Sequence, residues 1–158
     1  MKIKNPLSLL SLGFGSGLSP VAPGTFGSLL ALILYYFFAD PHVQSFFDIL
    51  GFTLFLIFSF LTGLYIYPRT VELEEDPGSF VWDEFVGMWI ACLPVTLLGN
   101  NDLWFLVSFL LFRILDIWKP GPIGFFDKNH SAFNVMMDDV VAGLLSSLVV
   151  AFLLITIY

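Results

Sequence analysis

Apolar residues run in long blocks along this chain, and polar residues collect at the ends of the blocks. Five runs stand out: Gly24 to Ala39, Phe46 to Tyr67, Phe85 to Leu98, Leu103 to Ile117 and Val140 to Tyr158. The stretches Ile49 to Tyr67 and Val140 to Tyr158 each hold 19 residues without a charge. A bilayer span needs about 20 apolar residues, so the second and fifth runs qualify outright. The other three are short, and either thin the bilayer locally or lie buried among their neighbours. The pattern predicts an all-α integral membrane bundle of about five long apolar helices. A soluble domain with apolar central helices is the alternative, but five such runs leave little chain to cover them.

The first residues add a sixth element. Lys2 and Lys4 ahead of Leu7 to Leu12 look like the start of a signal peptide. No small-x-small cleavage site follows, and Pro20 and Pro23 arrive instead. Pro6 to Leu12 is therefore read as a short retained helix at the membrane interface, with Asn5 as its cap. No repeat or long linker divides residues 1–158, which are read as one membrane-embedded domain.

Composition agrees with a membrane protein. The chain is 58% hydrophobic and 12% charged, with 19 phenylalanines, against about 25% charged residues in ordinary soluble domains. The net charge of −7 argues against nucleic acid, whose phosphates need a basic surface. It also means that binding an anionic phosphate lipid requires a mediating cation. Cys92, the lone cysteine, lies inside an apolar run and reads as a small buried hydrophobe.

If all five runs cross, the N-terminus, residues 68–84 and residues 118–139 share one side. Lys2, Lys4, Arg69, Arg113, Lys119 and Lys128 all fall on or near it, with ten of the 13 acids. The loops around Asp40-Pro41-His42 and Gly99 to Asp102 carry no Lys or Arg. By the positive-inside rule the shared side is cytoplasmic.

Three charged clusters meet on that side: Trp82-Asp83-Glu84, Arg113 to Pro120, and Met137-Asp138-Asp139. Both acidic pairs precede apolar runs, so helix capping is one reading. A second adjacent carboxylate gains little from capping, and Asp116 lies near a helix end where the dipole disfavours it. Arg113, three residues back, can pair with Asp116. If the acids converge, each pair about 4 Å apart costs about 4 kcal/mol at an effective dielectric near 20. A divalent cation removes that penalty, and all-oxygen ligands favour magnesium, manganese or calcium. The candidate metal ligands are Asp83, Glu84, Asp138 and Asp139, and Asp116 joins them as a candidate catalytic carboxylate.

The basic residues suit a phosphate. Arg113 offers a planar fork, and Lys119 and Lys128 offer mobile charges, although positive-inside anchoring also accounts for the lysines. The stretch Gly13 to Gly17 and the turn Pro23-Gly24-Thr25 can present backbone N–H groups to an oxyanion. Thr25 can equally cap the following helix. No Walker lysine follows these glycines, so an ATP loop fits poorly. Cys92 is misplaced for a cysteine phosphatase, and of the two histidines His42 falls on the wrong side. What remains is metal-assisted attack of water on phosphorus with a carboxylate as general base. An ion-binding or transport protein is the other class, but its charges belong at mid-bilayer depth.

At this point a resemblance becomes specific. Gly13 to Pro20, Pro23 to Ser28, Val81 to Trp89, Phe112 to Pro122 and Met137 to Gly143 resemble the phosphatidylglycerophosphatase A family of bacterial membrane lipid phosphatases, in family order. The resemblance implies magnesium-dependent removal of the terminal phosphate of phosphatidylglycerophosphate, giving phosphatidylglycerol in phospholipid biosynthesis. It implies a multi-pass protein of the bacterial inner membrane and a central helix surrounded by others. It also carries acidic roles onto Asp83, Glu84, Asp116, Asp138 and Asp139. One departure is visible: the family's glycine-rich segment before the paired aspartates reads His130 to Val135 here, without glycine. Read as a loop, that segment reaches left-handed conformations less readily.

Overall fold

Asparagine, serine and proline set where the helices begin. In the computed structural model, which describes residues 4–43, 45–71, 77–99, 101–128 and 130–157, Asn5 and Ser8 form a reciprocal capping box at the start of α1 (Pro6–Ser11). Pro23 opens α2 (Pro23–Leu34), which runs on through a π turn at Tyr35–Ala39 and a tight turn at Asp40–His42. Ser45 and Asp48 form a second capping box on α3 (Phe46–Thr70). The chain continues through α4 (Trp82–Leu98), α5 (Leu103–Trp118), α6 (Pro122–Asp127) and α7 (Ala132–Ile157). Every regular element among the described residues is helical. Lys2 and the acids at positions 72–76 lie outside them.

Among the described residues, three helical stretches are long and apolar enough to cross a membrane: Pro23–His42, Phe46–Thr70 and Ala132–Ile157, of 20, 25 and 26 residues. At 17 and 16 residues, α4 and α5 reach about 25 Å at 1.5 Å per residue, somewhat short of the hydrocarbon thickness. Burial compensates for α4. Eleven of its 17 residues are buried, because α2, α3, α5 and α7 all pack on it. It is the central helix of the bundle, and Phe85, Met88, Ala91 and Cys92 are wholly inaccessible there. The outer faces of α3 and α7 carry exposed Phe47, Phe58, Leu148 and Phe152, as lipid-facing helices do.

The tightest packing is between α4 and α7. A Cβ on Gly143 would run into the Gly87 carbonyl oxygen, and one on Gly87 would lie 2.6 Å from the Asp139 carbonyl oxygen. Only glycine at both positions lets the two backbones touch, as small residues do in membrane helix pairs. The helices run parallel, so the residues one turn before each glycine, Asp83 and Asp139, arrive on the same level.

Four local expectations change. Asp138-Asp139 do not precede their helix: α7 begins at Ala132, where Ser131 Oγ accepts from the Asn134 N–H at 3.2 Å, so the pair cannot cap it. Residues 132–135 of the glycine-poor segment are helical and need no left-handed backbone. Thr25 is not a cap, because Pro23 starts α2 with Ala22 at the cap position. In the glycine-rich stretch, the N–H groups of Gly15 and Gly17 both donate to the Leu12 carbonyl at 2.9 and 3.0 Å, so neither is offered to an anion.

Candidate active site

The first turn of α4 and the second turn of α7 bring three carboxylates together. One oxygen each from Asp83, Glu84 and Asp139 lies within 4.8 Å of the others. Asp83 and Asp139 are buried, and Asp116 acts electrostatically on Asp139 from α5. Glu84 Oε2 and Asp139 Oδ1 are buried with no hydrogen-bond partner. Buried polar atoms ordinarily find partners, and a carboxylate oxygen without one beside two other carboxylates is the reverse of a stable arrangement. The donor set is all oxygen, and two of its buried atoms lack partners. These residues therefore fit a hard divalent cation.

Asp138 is turned elsewhere. Its Oδ2 accepts from Lys119 Nζ at 2.9 Å, and Lys119 also donates to Asp127. Burial alone lowers the Lys119 pKa, but its bonds to Asp127 and Asp138 more than offset that and raise it above the ordinary lysine value. The lysine is held as a cation at the edge of the cluster. Its backbone is left-handed, with φ of 46°, and ends α5 with an N–H bond to the Leu115 carbonyl at 2.8 Å.

Arg113 is fixed on two sides. Its Nη1 contacts Asp116 Oδ2 at 2.8 Å and donates to Ser28 Oγ at 3.1 Å. Ser28, wholly buried, donates in turn to the Gly24 carbonyl at 2.8 Å. Arg113 Nε is buried and has no partner, so one donor of the guanidinium is left unsatisfied. Gly24 makes this approach possible: a Cβ there would collide with Glu84 Oε1 and lie 3.3 Å from an Arg113 terminal nitrogen. Thr25 follows in the same turn of α2, partly buried, and Lys128 is exposed at the end of α6.

The glycine-rich stretch supports the site from behind. A Cβ on Gly13 would meet Phe85 and Val81, each at 2.7 Å. The Val81 N–H donates to the Ser11 carbonyl at 2.9 Å. These contacts clamp the segment leading into Asp83-Glu84. Trp82 is locked by its own indole N–H, which donates to the Ser59 carbonyl of α3 at 2.9 Å.

A family model described as phosphatidylglycerophosphatase A matches residues 9–154. The chain belongs to the phosphatidylglycerophosphatase A family. It is 41% identical over 156 residues to phosphatidylglycerophosphatase A of Escherichia coli (strain K12), covering 97% of this chain and 86% of that protein. It is 42% identical over 156 residues to phosphatidylglycerophosphatase A of Haemophilus influenzae, covering 95% of this chain and 90% of that one. No solved structure is a significant match. As a phosphatidylglycerophosphatase A family member the chain is an enzyme, a phosphatase acting on a phosphomonoester.

The sequence reading thus named the three carboxylates that converge, the Arg113–Asp116 pair and Lys119. It grouped Asp138 with the metal ligands, where the fold faces it to Lys119. It missed Ser28 and Asp127. Ser28 closes the quoted stretch Pro23 to Ser28, four residues after Gly24 and so on the same helix face. Asp127 ends α6, a helix announced only by Pro122 at its first position.

Proposed function

We propose that the chain removes the terminal phosphate of phosphatidylglycerophosphate, giving phosphatidylglycerol and inorganic phosphate, with magnesium held by Asp83, Glu84 and Asp139. One observation carries the reading: three carboxylates with two partnerless oxygens gather beside a half-satisfied arginine, in a chain of this family. Magnesium, when bound, neutralises phosphate charge as a Lewis acid. Arg113 and Lys119 hold the phosphate, with Thr25 at the first turn of α2 and Lys128 at the end of α6 completing the cationic and polar rim. Asp116 orients Arg113, and Asp138 aims Lys119. A carboxylate oxygen of the cluster that does not hold the cation takes a proton from water as the water oxygen attacks phosphorus. The phosphorus–oxygen bond to glycerol breaks, and the proton held by that carboxylate passes to the leaving oxygen, which ends as the alcohol of phosphatidylglycerol.

The reading includes a bacterial inner-membrane location with the site facing the cytoplasm, since the described basic residues cluster at the site end. A transport role fits less well, because Asp83 and Glu84 occupy the first turn of α4 rather than mid-helix. The test is phosphate release by the purified protein from phosphatidylglycerophosphate, with magnesium or with a chelator, and from phosphatidic acid for comparison. Magnesium-dependent release from the first lipid is expected. Equal rates with chelator, or release only from phosphatidic acid, would overturn the reading.

A further inference from the structure

Lys119, Pro120 and Gly121 join α5 to α6. Lys119 and Gly121 both hold left-handed backbone, with φ of 46° and 55°, so the chain turns sharply there. The short helix α6 then closes on the residue it has just left: a Cβ on Gly124 would lie 2.7 Å from the Lys119 carbonyl oxygen. Ile123 is wholly buried, and the Phe126 ring lies 6.4 Å from the Phe133 ring of α7. Asp127 comes three residues after Gly124 and four after Ile123, so it shares the packed face of α6. Its Oδ1 accepts from the Lys119 ammonium.

Stability does not explain this second carboxylate. The Lys119 and Asp127 side chains are 29% and 48% exposed, and ion pairs so open to water contribute little to folding. Asp138, with a side chain 9% exposed, already gives Lys119 a counter-ion at 2.9 Å. What Asp127 adds is geometry. A lysine ammonium carries three N–H donors on a flexible stem. Held by one acceptor, it still swings about that bond. Held by two, on different helices, its nitrogen is fixed and the tetrahedral angle sets the direction of the third N–H.

We propose that Asp127 is a positioning residue of the phosphatase site: with Asp138 it takes two N–H groups of Lys119, so that the third is aimed at the substrate phosphate. The proposal rests on the phosphate-binding role given to Lys119 above. Asp127 acts through Lys119 and takes no part in the bond-breaking step. Its half-exposed position lets solvent screen its charge from the phosphate, while its hydrogen bond still orients the ammonium.

Asp127→Ala removes the acceptor at a rim position. Its kcat/KM for phosphatidylglycerophosphate is expected to fall by about tenfold, the scale of losing one charged hydrogen bond, with the melting temperature unchanged. Asp127→Glu should restore most of the activity. Gly124→Ala, which pushes α6 off the Lys119 carbonyl with Asp127 still present, should reproduce the loss. In Lys119→Met, which has no N–H to aim, Asp127→Ala is expected to cost nothing further. Independently of turnover, acetylation of Lys119 by acetic anhydride would be followed by peptide mass spectrometry, with inorganic phosphate and magnesium as protectants. Asp127→Ala should need about tenfold more phosphate for equal protection. Unchanged kcat/KM and protection in Asp127→Ala would overturn the proposal. So would an equal loss in the Lys119→Met background, which marks a structural role, or a faster enzyme, which marks Asp127 as a competitor of the phosphate. If the wild type cleaves no phospholipid, yet phosphate protects Lys119 and that protection depends on Asp127, the phosphatase reading falls and the positioning pair stands.

Discussion

Asp139 Oδ1 is a single buried atom with no partner, and the behaviour of the site follows from it. Without a cation, Asp139 faces Asp83 and Glu84 across less than 5 Å, and like charges at that distance repel by a few kcal/mol, about 4 by the Coulomb scale. Asp139→Asn keeps the shape and removes one charge. Its activity should fall by at least about a hundredfold, the scale of losing a group that stabilises transition-state charge. In chelator its melting temperature should match or exceed that of the wild type, and added magnesium should stabilise it less. Thermal melts with and without magnesium check both signs; a variant melting well below wild type in chelator would mark Asp139 as a structural residue. Arg113 has the complementary arrangement, with Nη1 bound to Asp116 and Ser28 and Nε buried without a partner. Ser28→Ala removes the 3.1 Å bond without touching charge, and should lower kcat/KM by about tenfold, in line with the loss of a charged hydrogen bond. Arg113→Lys should cost more, because the planar fork itself is lost. Wild-type kinetics in both variants would reduce Arg113 to a partner of Asp116.

At the scale of elements, the glycine pair between α4 and α7 decides whether the site exists. Asp83 and Asp139 each sit one turn before a glycine of this pair, so the helix contact is also the ruler that sets their spacing. Gly143→Ala introduces a methyl group against the Gly87 carbonyl, with backbone on the other side and no flexible side chain to yield. It should destabilise the protein by about 1–3 kcal/mol, the range of overpacking in a tight core, and lower kcat more than KM as the carboxylates separate. Denaturation in detergent together with steady-state kinetics checks this; an unchanged kcat would dissociate the contact from the site. Legibility was uneven at this level. The long apolar runs of α3 and α7 were plain, but the start of α7 was marked only by Ser131 as a cap, ahead of a stretch from Ala132 to Met137 that mixes polar and apolar residues. That is why an acidic pair two turns inside a helix read as preceding it.

For the whole molecule, α1, the turn into α4 and the segment from Lys119 to Lys128 lie at one end of the bundle with Ser131, and Asp40, Thr96 and Asp102 lie at the other. The far end has its own polar contacts, with Thr96 Oγ1 donating to Asp40 at 2.6 Å and the Tyr36 hydroxyl donating to Asp102 at 2.9 Å, but no Lys or Arg among the described residues. Trp118 and Phe125 are exposed at the site end, as aromatic residues are at a membrane interface. In a Cys92→Ala background, a cysteine at Ser131 should react with an impermeant thiol reagent only when the cytoplasmic face is open. A cysteine at Asn101 should react only from the opposite face. Labelling of both from one side would rule out the five-pass arrangement.

The apolar runs by themselves determined that the chain is a helical membrane bundle, because no other structure satisfies the backbone in hydrocarbon over such lengths. The charged residues at the run ends determined which acids and bases belong to the site, since a buried charge is tolerated only with a partner or a ligand. Tertiary structure decided the rest. Asp138 and Asp139 are neighbours in sequence and chemically identical, yet successive helical residues point about 100° apart, so one faces Lys119 and the other faces Asp83 and Glu84. Ser28 and Asp127 joined the site only through side chains that span helices. Those are distances between segments far apart in the chain, fixed by the packing of α4 against its neighbours rather than by any local pattern.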